Sequence, residues 1–470
     1  MTLRLLNTYT RKLQKFAPLK KNTVRMYTCG PTVWDYAHIG NFRTYIFQDV
    51  LRRYLEFKGY KVTQVTNITD VDDRTIRQSK ETGLTLHEYT KKYEEAYLAD
   101  LGALNIERAE HYPRATEHID EMVALVKKLV RRGFAYEAEG SIYFDISKFR
   151  AYGRLSGVHM DELKDGARID SDKYNKDEAR DFALWKGWHP DDGDVFWETA
   201  IGKGRPGWHL ECSAMSMKYL GTTFDIHSGG EDLIFPHHEN EIAQSEAATG
   251  KRFVRFWLHS GMLLVGGRKM AKSSGNFFTL RDLLSKGHDP LAVRYLLMSA
   301  QYRAQLNFTE GVLADAEKAV QAIRGTYRRI NNIGRTRRHS NAQLLEILSR
   351  ERREFEKAMD DDLNTPGALA AIHRAARVVN RAIDQDEVST KDTVAIHQFF
   401  SDLDRVVGIL GGQIKADELP EEAGRLIRER DQARANRDWA TADSLRKQLL
   451  AMGIVVEDTP AGTVWKRKSP

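Results

Sequence analysis

A chain of 470 residues is too long for one ordinary domain, and its 41% hydrophobic and 10% aromatic content can fill several cores. Mean hydropathy is -0.53, and no run approaches the roughly 18 uncharged apolar residues of a membrane span. The first residues lack an apolar segment with a cleavage-type site, so the expectation is a cytoplasmic protein without a signal peptide. Two cysteines exclude a disulfide framework. The net charge of +6 divides into +4 before residue 300 and +2 after it, which excludes a purely electrostatic nucleic-acid wrapper but leaves room for local basic patches.

The β-prone run Thr23–Thr28 ends at Cys29-Gly30-Pro31, where the chain must turn. From Asn41 to Gly59 the apolar residues Phe42, Ile46, Phe47, Val50, Leu51 and Leu55 recur at helical spacing, and Tyr60–Thr69 is strand-like. Strand, turn, helix and strand make a βαβ unit of a parallel sheet, which takes its ligands at the carboxyl ends of its strands. Residues 121–205 break this rhythm with a hairpin from Tyr136 to Phe144 and a charged, looped stretch from Asp161 to Asp181; they read as an insertion. The parallel pattern returns with Phe224–Gly230, a helix from about Pro236, and the strands Phe256–His259 and Gly261–Val265. Beyond about residue 290 the pattern is helical. Gly411-Gly412 marks a linker, and a charged helix from Glu421 to Leu450 precedes a hairpin. The expected fold is a Rossmann-like α/β domain with a parallel sheet in two halves (1–120 and 206–300) around an inserted subdomain (121–205). An α-helical bundle (301–410) and a small α+β module (411–470) follow.

Two segments suit phosphate chemistry. His38-Ile39-Gly40-Asn41 sits at a strand-to-helix junction, where free N–H groups and the helix dipole favour an anion. His38 can donate to a phosphate oxygen, Gly40 lets a flat base come close, and Asn41 can add a polar contact; a helix-capping His is the plain alternative. Lys269-Met270-Ala271-Lys272-Ser273-Ser274-Gly275-Asn276 follows a strand and Gly266-Gly267, and its lysines Lys269 and Lys272 suit negative charge developing as pyrophosphate leaves. A solvated lysine loop is the plain reading there. Neither segment is a Walker loop.

In this order, about 230 residues apart, the two segments resemble the HIGH and KMSKS signatures of class I aminoacyl-tRNA synthetases. The runs Tyr27–Val33, Asn67–Asp73, Gly207–Ser213 and Phe235–Glu241, together with Asp438-Trp439 and the Gly453–Lys468 tail, resemble the cysteinyl-tRNA synthetases along essentially the whole chain. Asn41 stands where HIGH ends in His, and Ala271 where KMSKS has its first Ser, which removes one hydroxyl but keeps both lysines. The resemblance implies a ligase that uses ATP with Mg2+ to activate L-cysteine and charges tRNA(Cys), as a monomer, with His38, Lys269 and Lys272 catalytic and His38, Gly40, Asn41 and Lys272 at ATP. It makes residues 301–410 a tRNA-binding domain and residues 411–470 an anticodon-binding module.

Both cysteines sit beside further donors. Cys29 follows a strand, Cys212 lies in Trp208-His209-Leu210-Glu211-Cys212, and His237 and Glu241 are i and i+4 on the expected helix. Two thiolates, an imidazole and a carboxylate form a plausible four-ligand zinc set. Spacing does not choose between His237 and His238; the family motif assigns His237 and Glu241. Zinc prefers a thiolate to an alcohol, so one Zn2+ could select cysteine over serine through the substrate sulfur, without the editing that apolar pockets often require. Resemblance places Thr69 and Trp208 at the substrate cysteine. Buried structural cysteines and packing around the metal are the bland readings.

For nucleic acid, Arg324, Arg328, Arg329, Arg335, Arg337 and Arg338 fall in fifteen residues without Asp or Glu. They suit tRNA phosphates and a solvated helix face almost equally. Trp439 and Trp465, with Lys466, Arg467 and Lys468, pair aromatic and basic groups suited to unstacked bases. Two other readings share parts of this pattern: a ligase joining cysteine to a small amino-sugar acceptor, and a non-catalytic, zinc-stabilised tRNA-binding protein.

Overall fold

A computed structural model describes residues 2–157, 168–169, 180–270, 275–331, 333, 339–411, 421–459 and 462–467. A hairpin of β1 (Arg4–Asn7) and β2 (Lys12–Lys15) leads to β3 (Thr23–Thr28), α1 (Ile39–Phe57) and β4 (Lys61–Thr66). Helix α1 stops where Gly59 takes φ 87°, a left-handed turn that glycine makes without a Cβ penalty. β4 then returns parallel to β3, with Thr23 opposite Lys61, which is the expected βαβ unit. Three helices follow: α2 (Asp73–Thr82), α3 (Leu86–Ala103) and α4 (Ile119–Arg131).

The next strands belong to a separate sheet: β5 (Ala135–Ala138), β6 (Ser141–Phe144), β7 (Arg168–Ile169), β8 (Asp181–Gly187), β9 (Trp197–Thr199) and β10 (Gly202–Pro206). It runs in the order β5-β6-β8-β10-β9, with β7 parallel to β8 and the other pairs antiparallel. Phe144 and Phe182 stack 5.2 Å apart in its core. The loop expected from Asp161 to Asp181 is partly strand. Asp181 opens β8 because its carboxylate accepts from Tyr136 Oη (2.7 Å) and the Ile146 amide (2.9 Å), which offsets its burial. Most of the rest of that stretch lies outside the described residues.

The first sheet then resumes through α5 (Trp208–Leu220), β11 (Phe224–Gly230), α6 (Glu239–Thr249) and β12 (Val254–Ser260). Its order is β12-β11-β3-β4, all parallel. The chain steps outward from β3 to β4 and, in the opposite sense, from β11 to β12. Between β3 and β11 lies a topological switch point, the crevice where open α/β sheets bind ligands. The helix expected from about Pro236 begins three residues later: Phe235 is extended (φ −136°, ψ 135°), and Ile234–His238 forms a wide turn ahead of α6.

Strands β13 (Leu263–Val265) and β14 (Arg268–Lys269) form a hairpin; α7 (Leu280–Ser285) and α8 (Pro290–Met298) precede β15 (Leu306–Phe308), which pairs in parallel with β13. The helices α9 (Glu310–Asn331), α10 (Ala342–Asp360), α11 (Thr365–Asp384) and α12 (Thr390–Val407) share one continuous core with the parallel sheet and α1. The joint also carries buried charge. Arg294 on α8 is fully buried and bonds Asp49 on α1 (2.5 Å) and the Val407 carbonyl (2.7 Å). Burial opposes ionisation of Asp49, but Arg294 and Arg53 outweigh it and hold the carboxyl below its usual range.

The last elements are α13 (Glu421–Ala435), α14 (Trp439–Ala451), β16 (Ile454–Thr459) and β17 (Gly462–Arg467). They have a core of their own that includes Leu426, Leu445, Leu449 and Ile454. The single helix expected from Glu421 to Leu450 is two. Arg437 turns left-handed (φ 61°), and Asp438 caps a new helix by accepting from the Thr441 amide at 3.1 Å.

Candidate active site and metal centre

His38 is the N-cap of α1. Its Nδ1 accepts from the Asn41 amide, while Asn41 Oδ1 accepts from the His38 amide, each at 3.1 Å. This reciprocal cap fixes the ring. With Nδ1 accepting, the proton of the neutral ring sits on Nε2, and burial lowers the pKa so that the neutral form persists. The capping role and the phosphate role are therefore compatible: one nitrogen orients the ring and the other can donate. Asn41 serves first in the cap, through Oδ1. A Cβ at Gly40 would lie 3.0 Å from His38 Nδ1 and 3.1 Å from its Cε1, tight enough that the imidazole would have to shift to admit a side chain.

The second signature closes on the first. Lys269, exposed, ends β14, and Asn276 Nδ2 donates to its carbonyl (3.1 Å). The chain beyond Asn276 runs along the start of α1: the Phe277 ring meets His38 edge-on at 5.4 Å, and the Ile39 amide donates to Phe278 O (3.0 Å). Both ends of the lysine loop thus lie at the N-terminus of α1. Lys272 lies outside the described residues.

Cys29 follows β3, Cys212 lies on α5, and His237 and Glu241 come from the turn and the first turn of α6; their ligand atoms lie within 4.8 Å of one another, all buried. His237 Nε2 is 3.2 Å from Glu241 Oε1. Trp208 stacks on the His237 ring at 4.2 Å, and His209 Nδ1 faces His237 Nδ1 at 3.0 Å. A second set, Cys29, His227, His238 and Glu241, meets the same distance limit. In it, Cys29 Sγ is 3.2 Å from His238 Nε2, and His227 Nε2 is 2.9 Å from Glu241 Oε2.

The donor set fits a cation. Glu241 Oε1 is fully buried and accepts no hydrogen bond, and burial pushes that carboxyl up to about 8. Burial likewise raises both thiols. Buried anionic donors of this kind are stabilised by a metal ion. Thr69, buried three residues beyond β4, donates to Glu211 Oε2 and accepts from Asn67 Nδ2, both at 3.1 Å. Cys29 directly follows β3 and His38 opens α1, the next helix, so the thiol cluster and the helix terminus both lie at the carboxyl end of the parallel sheet.

Sequence reasoning missed His227, His259 and His209 as members of this cluster. His259 Nε2 bonds His238 Nδ1 (2.7 Å), and Thr8 Oγ1 bonds His259 Nδ1 (2.8 Å). A partial signal was there for His259, which follows the apolar run Phe256-Trp257-Leu258 in β12, a strand of a buried parallel sheet.

The nucleic-acid candidates divide. Arg328 is exposed on α9, whereas Arg329 ties α9 to α11 through Asp384 and Asn380 Oδ1 (2.8 Å). Arg324 is paired with Asp289, and Arg335, Arg337 and Arg338 lie outside the described residues. Trp439 is 58% exposed at the start of α14, with the Arg434 guanidinium 5.8 Å from its ring. Trp465 stands opposite Val456 in the β16–β17 hairpin.

Residues 15–318 match the family described as tRNA synthetases class I (C) catalytic domain, residues 354–412 a DALR domain, and residues 416–465 a cysteinyl-tRNA ligase anticodon binding domain. A cysteine–tRNA ligase of Solibacter usitatus is 48% identical, covering 100% of both chains, and that of Brachyspira hyodysenteriae is 47% identical over 98% of both. The chain belongs to the cysteine–tRNA ligase family. Its fold is that of class I synthetases more widely. Mycobacterium tuberculosis methionyl-tRNA synthetase in complex with methionyl-adenylate superposes with a TM-score of 0.58 at 14% identity, over 83% of this chain and 90% of that one. For an Agrobacterium radiobacter leucyl enzyme the values are 0.59, 11%, 84% and 85%. The elements expected of a cysteine–tRNA ligase, a Rossmann-like parallel sheet with a helical region behind it, are those observed.

Proposed function

We propose that the protein activates L-cysteine with ATP to cysteinyl-adenylate and transfers the cysteinyl group to the 3′ end of tRNA(Cys). The observation that carries this reading is the meeting of the two signature segments at the N-terminus of α1, on the crevice that also holds the Cys29–Cys212–His237–Glu241 cluster. The cysteine carboxylate attacks the α-phosphorus in line, and pyrophosphate leaves. His38 Nε2–H donates to phosphate oxygen, Gly40 leaves room for the nucleotide beside the backbone, and Lys269 and Lys272 meet the charge on the leaving group, with Mg2+ accompanying ATP. Catalysis here is positioning and electrostatics rather than covalent chemistry.

Of the two ligand sets, the one with two thiolates suits Zn2+ better, because zinc favours thiolate donors and that set is the one the family motif assigns. A zinc ion held by Cys29, Cys212, His237 and Glu241 would offer the substrate a thiolate-selective position. Trp208, stacked on His237, and Thr69 border that position and shape it for a small side chain. Cys212→Ala is expected to lose most of the bound zinc and to raise the cysteine concentration needed for activation; undiminished zinc in metal analysis would remove the assignment. The proposed division is a catalytic domain in two halves, 1–120 and 206–300, a connective insertion (121–205), a tRNA-binding bundle (301–410) and an anticodon-binding module (411–470), in a cytoplasmic monomer. Cysteine-dependent exchange of pyrophosphate into ATP, followed by tRNA charging, tests the reading. A ligase using a small acceptor shares only the first of these steps.

A further inference from the structure

Arg43, in the second turn of α1, is buried to 1% exposure, yet its hydrogen-bond partners are all backbone carbonyls. Nε donates to Gly261 O (3.1 Å) and Nη1 to Leu297 O (2.9 Å), while Nη2 lies 2.6 Å from Ala304 O, 3.1 Å from Gln301 O and 3.5 Å from Tyr302 O. Burying a guanidinium without a bonded carboxylate is costly, and burial lowers its pKa to about 10. Five carbonyls collected from two separate segments indicate why the charge is kept there.

Those segments carry the lysine hairpin. Gly261 follows β12 and leads directly into β13 and β14, which end at Lys269. Residues 297–304 lead into β15, on which β13 is paired. The two segments also hold each other, through Gly261 N to Tyr302 O (2.8 Å) and Leu306 N to Met262 O (3.1 Å). A side chain at 261 would meet Arg303 O at 2.5 Å. Thr44, next to Arg43, adds a bond between its Oγ1 and Ser260 Oγ (2.7 Å). The helix capped by His38 and the hairpin that ends at Lys269 are thus mounted on one joint, with Arg43 at its centre.

We propose that Arg43 is a positioning residue for adenylation, which fixes the His38 end of α1 against the base of the lysine hairpin. The role rests on the reading that these two segments handle the phosphates of ATP. Arg43 acts through backbone and touches no substrate, so its effect falls on turnover and leaves cysteine recognition alone.

Arg43→Lys keeps the charge but replaces a rigid five-donor fork with three rotatable donors. Misplacing reacting groups by ~1 Å costs on the order of 10²-fold, and that is the expected fall in kcat of cysteine-dependent ATP–pyrophosphate exchange. KM for cysteine and the bound-metal content are expected to stay unchanged, as uniform binding is untouched. A folded Arg43→Lys with wild-type kcat overturns the role, as does a loss that only tracks the unfolded fraction in a thermal melt. If that variant does not fold, Thr44→Val loosens the same joint without disturbing the charge. It should lower kcat by about 2–10-fold, the worth of one net hydrogen bond, and an unchanged kcat there overturns the role equally. Wild-type protein without exchange would overturn the adenylation reading and this role together, whereas wild-type exchange with an unaffected Arg43→Lys overturns this role alone.

Discussion

Removing the module after Gly412 is expected to leave cysteine-dependent ATP–pyrophosphate exchange largely intact while tRNA charging collapses. The physical ground is that α13, α14 and the final hairpin close a core of their own, whereas the adenylation segments lie at or before Asn276. The truncation removes Trp439, Trp465 and the basic run Lys466-Arg467-Lys468. Stacking of one base is worth ~1–3 kcal/mol, so two aromatics and three charges together correspond to several orders of magnitude in tRNA affinity. The loss should appear as a higher tRNA concentration for half-maximal charging, and the intact protein's tRNA affinity should fall as salt rises. Undiminished charging by the folded truncated protein would show that this module does not read tRNA.

Lys272→Ala carries the second large effect. Adenylate formation in a single turnover is expected to slow by about 10²–10³, the usual cost of losing one contact made to charge that develops in the transition state. Cysteine binding should hardly change, because the lysine acts on charge that develops only in the transition state, on the pyrophosphate side. An unchanged single-turnover rate would refute the role, and a change confined to substrate affinity would mean that the lysine binds ground state and transition state alike.

The chemistry of the site was more legible in the sequence than its surroundings. His38, Gly40, Lys269, Cys29, Cys212, His237 and Glu241 stood out through motif resemblance, since residue type and spacing alone left a capping His, a solvated lysine loop and His238 as alternatives. The structure brings the four metal candidates within 4.8 Å of one another and sets Phe277, just past the lysine loop, against His38. The βαβ unit was legible because its helix and strand keep distinct hydrophobic periods. What stayed hidden depended on tertiary pairing. His227 and His259 read as strand residues until β11 and β12 lay side by side. Arg329 read as a surface cation, but α11 supplies Asp384 and Asn380 to hold it. The break at Arg437–Asp438 was missed because charged residues of good helix propensity continue on both sides of it. The cap that starts α14 is local, resting on two bonds to Asp438 from Thr441, one from its amide and one from its hydroxyl.

In the proposed function one crevice binds ATP at the start of α1 and recognises cysteine at the thiol cluster. Pyrophosphate exchange into ATP, measured on the intact protein with cysteine and then with serine, tests both halves at once. The expected result is exchange that depends on cysteine, is absent with serine at equal concentration, and stays lost when the tightly held metal has been stripped by a chelator and Mg2+ alone is restored. Exchange that proceeds equally with serine, or that needs neither cysteine nor metal, would contradict it.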